Sequence, residues 1–81
     1  MPPVDRLKNC FVETFALEPD VAADSLRYQT TPGWDSVGHM QLVAAIETEF
    51  DIMLDTEEVL AMSDFAKAVE IVAAHGVSIS L

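Results

Sequence analysis

Asp35-Ser36-Val37-Gly38-His39-Met40-Gln41-Leu42-Val43-Ala44-Ala45-Ile46-Glu47-Thr48-Glu49-Phe50 is the most strongly patterned stretch of the chain. At about 100° per residue, Leu42, Ile46 and Phe50 fall on one stripe with Val43 beside it, which predicts a helix over residues 36–50. Asp35 is placed to cap that helix by accepting from its first free N–H groups, leaving Ser36 at the first helical position. Upstream, Val4, Leu7, Phe11 and Phe15 recur at helical spacing, while Asp5, Arg6, Asn9 and Glu13 fill the other angles. A first helix is therefore expected over residues 4–15 or 4–16, with Pro2 and Pro3 keeping the preceding chain non-helical and Glu18-Pro19 blocking continuation. Downstream, the capping-box spacing Asp55-x-x-Glu58 opens a short helix at residues 56–61. Ser63 is expected to cap a fourth helix, with Phe65, Ala68, Val69 and Val72 as its apolar face and Gly76 as its stop.

Residues 17–34 show no sustained period and hold Pro19, Asp20, Asp24, Ser25, Thr30, Thr31, Pro32 and Gly33, all turn or cap formers. They predict a long loop, pinned to the core by Val21, Leu26, Tyr28 and Trp34; a loop of roughly 18 residues is uncommon unless it is functional or partly helical. The final five residues alternate, but so short a segment cannot make a sheet alone. The expected fold class is all-α: a small four-helix bundle of three longer helices and one short third helix, with the long loop between helices one and two. At 81 residues and 8.9 kDa, residues 1–81 form a single domain.

Apolar residues make up 51% of the chain and charged ones 22%, enough to bury a core. Fourteen Asp and Glu against four Lys and Arg give a net charge of −10, which disfavours nucleic acid and anionic lipid as partners. Residues 35–58 hold seven of those acids and no Lys or Arg, so the acidity points to a basic protein partner. Cys10 is the only cysteine and reads as a packing thiol. No apolar stretch reaches the length of a membrane span and no leader pattern opens the chain, so a cytoplasmic monomer is expected.

With the core stripe subtracted, Ser36, Val37, Met40, Gln41, Ala44 and Glu47 are directed to the outer side of the second helix. An apolar patch thus sits beside a hydroxyl at a helix N-terminus, where free N–H groups and the macrodipole stabilise an attached phosphate. Other chemistry is poorly supported. Gly33-Trp34-Asp35-Ser36-Val37-Gly38 is not a Gly-x-Ser-x-Gly elbow and follows no strand, which argues against hydrolysis with His39 as base. His39 falls within the core stripe and is expected to pack under the long loop. His75 reads as a helix-terminal residue in the last turn of helix four. Asp51, Asp55, Glu57 and Glu58 lack the calcium-loop pattern, so no metal site is expected. Met40, Met53 and Met62 could line an adaptable groove, with Met62 assigned to the core and Met53 to covering the loop before helix three. Gly38 weakens its helix by about 1 kcal/mol relative to Ala, which suggests that a small residue is wanted near an attached group or a partner.

Taken together, Gly33-Trp34-Asp35-Ser36-Val37, then Leu42-Val43-x-x-Ile46-Glu47-x-Glu49-Phe50, then Asp55-x-Glu57-Glu58 and a last amphipathic helix resemble the acyl carrier protein family over nearly the whole chain. The resemblance implies a non-enzymatic carrier. A phosphopantetheinyl transferase would attach 4′-phosphopantetheine from coenzyme A to Ser36, and the arm's thiol would hold acyl groups as thioesters. It also implies that Asp35 helps the transferase engage its metal-bound substrate, and that the bundle can enclose an apolar chain. A partner face is implied on Val37, Met40, Gln41, Ala44 and Glu47, with Asp55, Glu57 and Glu58 as further docking acids. The partners would be acyl-transfer or synthase enzymes with basic docking patches, in fatty acid, polyketide or related lipid- or saccharide-modifying biosynthesis. Where the family usually has Leu and nearby acids after the serine, this chain has Val37, Gly38, His39 and Gln41, so the acidic strip is shifted toward residues 47–58. Two alternatives stand beside this one: an aminoacyl or peptidyl carrier, whose surface is usually less acidic, and an unmodified acidic helical interaction module.

Overall fold

The computed structural model describes residues 1–80 and contains four α-helices: α1 (Pro3–Phe15), α2 (Ser36–Phe50), α3 (Thr56–Ala61) and α4 (Phe65–Ala74). Among the described residues there is no strand, only an isolated bridge between Arg27 and Asp64. The all-α bundle with a short third helix is the expected one. The terminal alternation forms no sheet; Val77 and Ile79 pack half-buried against the core, and Leu81 lies outside the described residues.

The helix limits differ from expectation at two N-termini, each for a local reason. α1 begins at Pro3, because a proline at the first helical position forfeits no hydrogen bond and arrives with a helical φ. The α4 cap is Asp64 and not Ser63: the Asp64 carboxylate accepts from the Lys67 amide at 2.8 Å. Ser63 is engaged elsewhere, its carbonyl accepting from the Tyr28 amide at 2.9 Å and so tying the long loop to the start of α4. At the other end His75 occupies the cap position, beyond the last turn, followed by Gly76 at φ +91°.

α1 packs chiefly on α2. Leu7, Phe11 and Phe15 from α1 meet Leu42 and Ile46 from α2, with Met62, Phe65, Ala68, Val69, Ile71 and Val72 closing the third side. Trp34 stands at the centre, 1% exposed, edge-on to Phe11 at 5.2 Å and stacked on Phe15 at 5.6 Å. Of the expected loop anchors, Leu26 and Trp34 are buried, while Val21 and Tyr28 are half-buried against the core. The loop is partly helical, with a 3-10 turn at Ala23–Ser25, and is folded on itself through Thr31, whose hydroxyl accepts from the Arg27 amide. Met62 is core, as expected. Met53 is 83% exposed and covers nothing, because the backbone after α2 turns through Asp51 at φ +54° and leaves that side chain outward.

α3 buries none of its residues. It is held instead by polar contacts at each end and from both neighbours. Asp55 accepts from the Glu58 amide at 2.8 Å and Glu58 accepts in return from the Asp55 amide at 3.1 Å, completing the expected capping box. His39 of α2 bonds the Val59 carbonyl at 2.7 Å, and His75 bonds both Glu58 carboxylate oxygens at 2.9 Å.

Candidate functional site

Asp35 caps α2 as its position demands: extended backbone, with Oδ1 accepting from the Gly38 amide at 2.9 Å. Ser36 is then the first helical residue and is exposed. Its hydroxyl lies 3.3 Å from the Tyr28 hydroxyl, a neighbour that sequence spacing does not reveal because Tyr28 reaches it from within the loop. The amides of the first turn other than Gly38 have no side-chain cap. The outer face carries Val37 at 69% and Met40 at 57% exposure, with Gln41 and Ala44 also exposed. Those four and Ser36 are brought together as the helical spacing predicts.

The expected docking acids divide. Glu47 is half-buried, and its Oε2 accepts from the Leu54 amide at 2.9 Å, bracing the turn between α2 and α3. Asp55 and Glu58 form the α3 capping box, with Glu58 also bound by His75. The Asp55 amide, and after it His75, hold the Glu58 carboxyl below the usual carboxylate range. Glu57 is exposed and, among the described residues, has no hydrogen-bonding or ionic partner. The acidity of residues 47–58 therefore serves the fold as well as the surface.

Gly38 is small for an internal reason, which corrects the expectation of an attached group or a partner. A Cβ there would overlap the Gly33 carbonyl oxygen and stand 3.0 Å from Phe15 Cε1. Gly33 itself turns at φ +88°, so the two glycines let the loop close tightly over the start of α2 and set the height of Ser36.

His39 is half-buried and packs under the loop, as expected, and its partners fix its chemistry. The Trp34 indole N–H donates to Nδ1 at 2.8 Å, while Nε2 faces the Val59 carbonyl at 2.7 Å. An indole can only donate and a carbonyl can only accept, so the imidazole is neutral with its hydrogen on Nε2. It stacks on Trp34 at 6.1 Å and 12°, with Tyr28 edge-on at 5.5 Å. Both ring nitrogens are occupied, and neither faces Ser36 as a base would. The Trp34 partner lies five residues away in sequence, but Val59 lies twenty away, beyond any local pattern.

Two grooves flank Val59 and Leu60 of α3. One, of about 130 Å³, lies beside Tyr28, His39, Met62 and Ser63. The other, of about 430 Å³, runs between α2 and α3 past Met40, Val43, Glu47 and Leu54. Met40 lines the latter groove; Met53 does not. Cys10 is buried, and burial, aided by Glu49 and Glu13, pushes its thiol up to about 11, consistent with a packing role. Among the described residues no group of His, Cys, Asp and Glu side chains is arranged to hold a metal, and no helix is long and apolar enough to cross a membrane. No family model matches the chain, and no solved structure matches it.

Proposed function

We propose that this chain is an acyl carrier protein, modified on Ser36 with 4′-phosphopantetheine and carrying acyl groups between partner enzymes. One observation carries the reading: an exposed serine hydroxyl at the first position of a capped fifteen-residue helix, beside the exposed apolar side chains Val37 and Met40. The fit of a phosphodiester there is physical. Ser36 is unobstructed, the first-turn amides offer donors, and the helix dipole favours negative charge. When attached, the arm supplies a terminal thiol on which an acyl group is held as a thioester.

The chain's own residues act around that linkage. Ser36 Oγ supplies the nucleophile that a transferase needs: the new bond forms to phosphorus, the phosphoanhydride of coenzyme A breaks, and its nucleotide half leaves. Asp35 keeps the hydroxyl at the helix start through its cap, using Oδ1. Its side chain is exposed and available to the transferase's metal-bound substrate. Val37, Met40, Gln41 and Ala44 offer the contact surface, and Glu57, on the side of α3 that faces Lys67 and Glu70 of α4, is an unpaired acid apart from it. A basic enzyme patch would be steered to this side, because residues 35–58 carry no Lys or Arg.

Incubation with a broad-specificity phosphopantetheinyl transferase and coenzyme A tests the reading. The expected product is a phosphodiester located on Ser36 by peptide fragmentation, with Ser36→Ala refractory. Modification of another serine, or of none, would leave the unmodified interaction module as the better account. Loading by acyl donors rather than by amino acids with adenylating enzymes separates the acyl from the aminoacyl carrier.

A further inference from the structure

We propose that Tyr28 is a positioning residue whose hydroxyl donates a hydrogen bond to the phosphate esterified to Ser36, holding the root of the arm against the long loop. The proposal rests on the carrier reading for the group that the serine bears. Among the described residues, the Tyr28 hydroxyl is the one side-chain group that hydrogen-bonds Ser36 Oγ, at 3.3 Å. In the unmodified chain either hydroxyl can be the donor. Esterification removes the serine's hydrogen, so the phenol is then the only donor of the pair, and the acceptors it meets are the ester oxygen and the charged oxygens one bond beyond.

The phenol is held and not free to swing. The Tyr28 amide donates to the Ser63 carbonyl at 2.9 Å, and the Gln29 amide donates to the Trp34 carbonyl at 2.8 Å. The half-buried ring stands edge-on to Trp34 at 6.3 Å and to His39 at 5.5 Å, and those two are themselves joined through the indole N–H. A donor fixed in this way loses little side-chain freedom on taking up a phosphate. Competing donors are few. In the first turn of α2, Asp35 takes the Gly38 amide with its carboxylate and the His39 amide with its carbonyl, leaving the amides of Ser36 and Val37. Residues 35–58 hold no Lys or Arg to pair with the phosphate. Tyr28 stands on the His39 side of Ser36, whereas Val37 lies about 100° round the helix in the other direction. The bond therefore draws the linkage toward the loop and leaves Val37 free for a partner.

Phosphoserine encoded genetically in place of Ser36 supplies a phosphate without a transferase, and its titration is followed by phosphorus nuclear magnetic resonance in the otherwise native chain and with Tyr28→Phe. The helix dipole acts on both proteins alike, so the difference between them isolates the hydroxyl. With Tyr28 the second ionisation of the phosphate is expected about half a unit lower, a roughly threefold change in acidity, because the donor favours the dianion. Tyr28 is the only tyrosine of the chain, so growth on meta-fluorotyrosine alters this one phenol. The more acidic phenol is a stronger donor and should lower the midpoint further. Equal midpoints with and without Tyr28→Phe, in a variant whose amide spectrum shows it folded, overturn the proposal. Should Tyr28→Phe unfold, the fluorotyrosine protein decides: a midpoint below that of the native tyrosine supports the contact, and an unchanged or raised one refutes it. Failure of a transferase to modify Ser36 would count against the carrier reading alone, since the phosphoserine titration reads the Tyr28 contact whatever the transferase does.

Discussion

Gly38 stands where a Cβ would drive into the Gly33 carbonyl, so it governs how the loop meets the start of α2. Gly38→Ala is expected to destabilise the protein by about 2 kcal/mol in urea unfolding, the scale of overpacking, although alanine is the better helix former by about 1 kcal/mol. A neutral result would show that the loop yields freely. Ala16 presents the opposite case. It closes α1 at φ +53°, a left-handed conformation that favours glycine, and Ala16→Gly is expected to raise stability by about 1 kcal/mol, read as a higher urea midpoint. Cys10 gives a signed pH dependence. Its thiol is pushed up from 9.0 to about 11 by burial first, then by Glu49 and Glu13. The unfolded chain thus releases this proton before the folded one does. The associated stability is present below pH 9.0 and lost as pH rises toward about 11, and Cys10→Ala should flatten that alkaline limb of a denaturation-against-pH curve.

Among the elements, α3 has no buried residue and depends on Asp55, Glu58, His39 and His75. Asp55→Ala is expected to cost about 1 kcal/mol, seen as faster hydrogen exchange of the α3 amides with α1 and α4 little changed. Glu58 sets the acid limit of the same element. Its carboxyl is held low by the Asp55 amide and then by His75, so the stabilisation is present above the ordinary carboxylate range and is lost as pH falls through the folded value. The capping box was legible in sequence because its two partners are three residues apart. The His75–Glu58 pair was not, because seventeen residues separate them and only the return of α4 beside α3 joins them. The same division runs through the molecule. The limits of α2 and α3, the inner stripe of Leu42 and Ile46, and the outward set from Ser36 to Ala44 follow from period and cap. The α4 cap fell to Asp64, although Ser63 has equal local credentials, because a contact from Tyr28 claims the Ser63 backbone. Tyr28 beside Ser36, Val59 on His39 and Leu54 on Glu47 are likewise meetings between elements, which no single-element pattern records.

For the whole molecule the dominant fact is a charge of −10 with residues 35–58 free of Lys and Arg. Self-repulsion of this kind weakens the compact state, so added salt should raise the thermal midpoint by screening. The structure also shows that the acids are unequal: Glu47, Asp55 and Glu58 are tied into the fold, Glu49 pairs with Arg6 at 2.7 Å, and Glu57 stands alone. Replacing Glu57 by Gln should weaken binding to a basic partner with little effect on stability, whereas Glu47→Gln should also loosen the turn before α3. The central claim is tested most directly by intact mass after treatment with a phosphopantetheinyl transferase and coenzyme A. The carrier account expects the native chain to gain one phosphopantetheine unit and Ser36→Ala to gain none; a native chain of unchanged mass would contradict it.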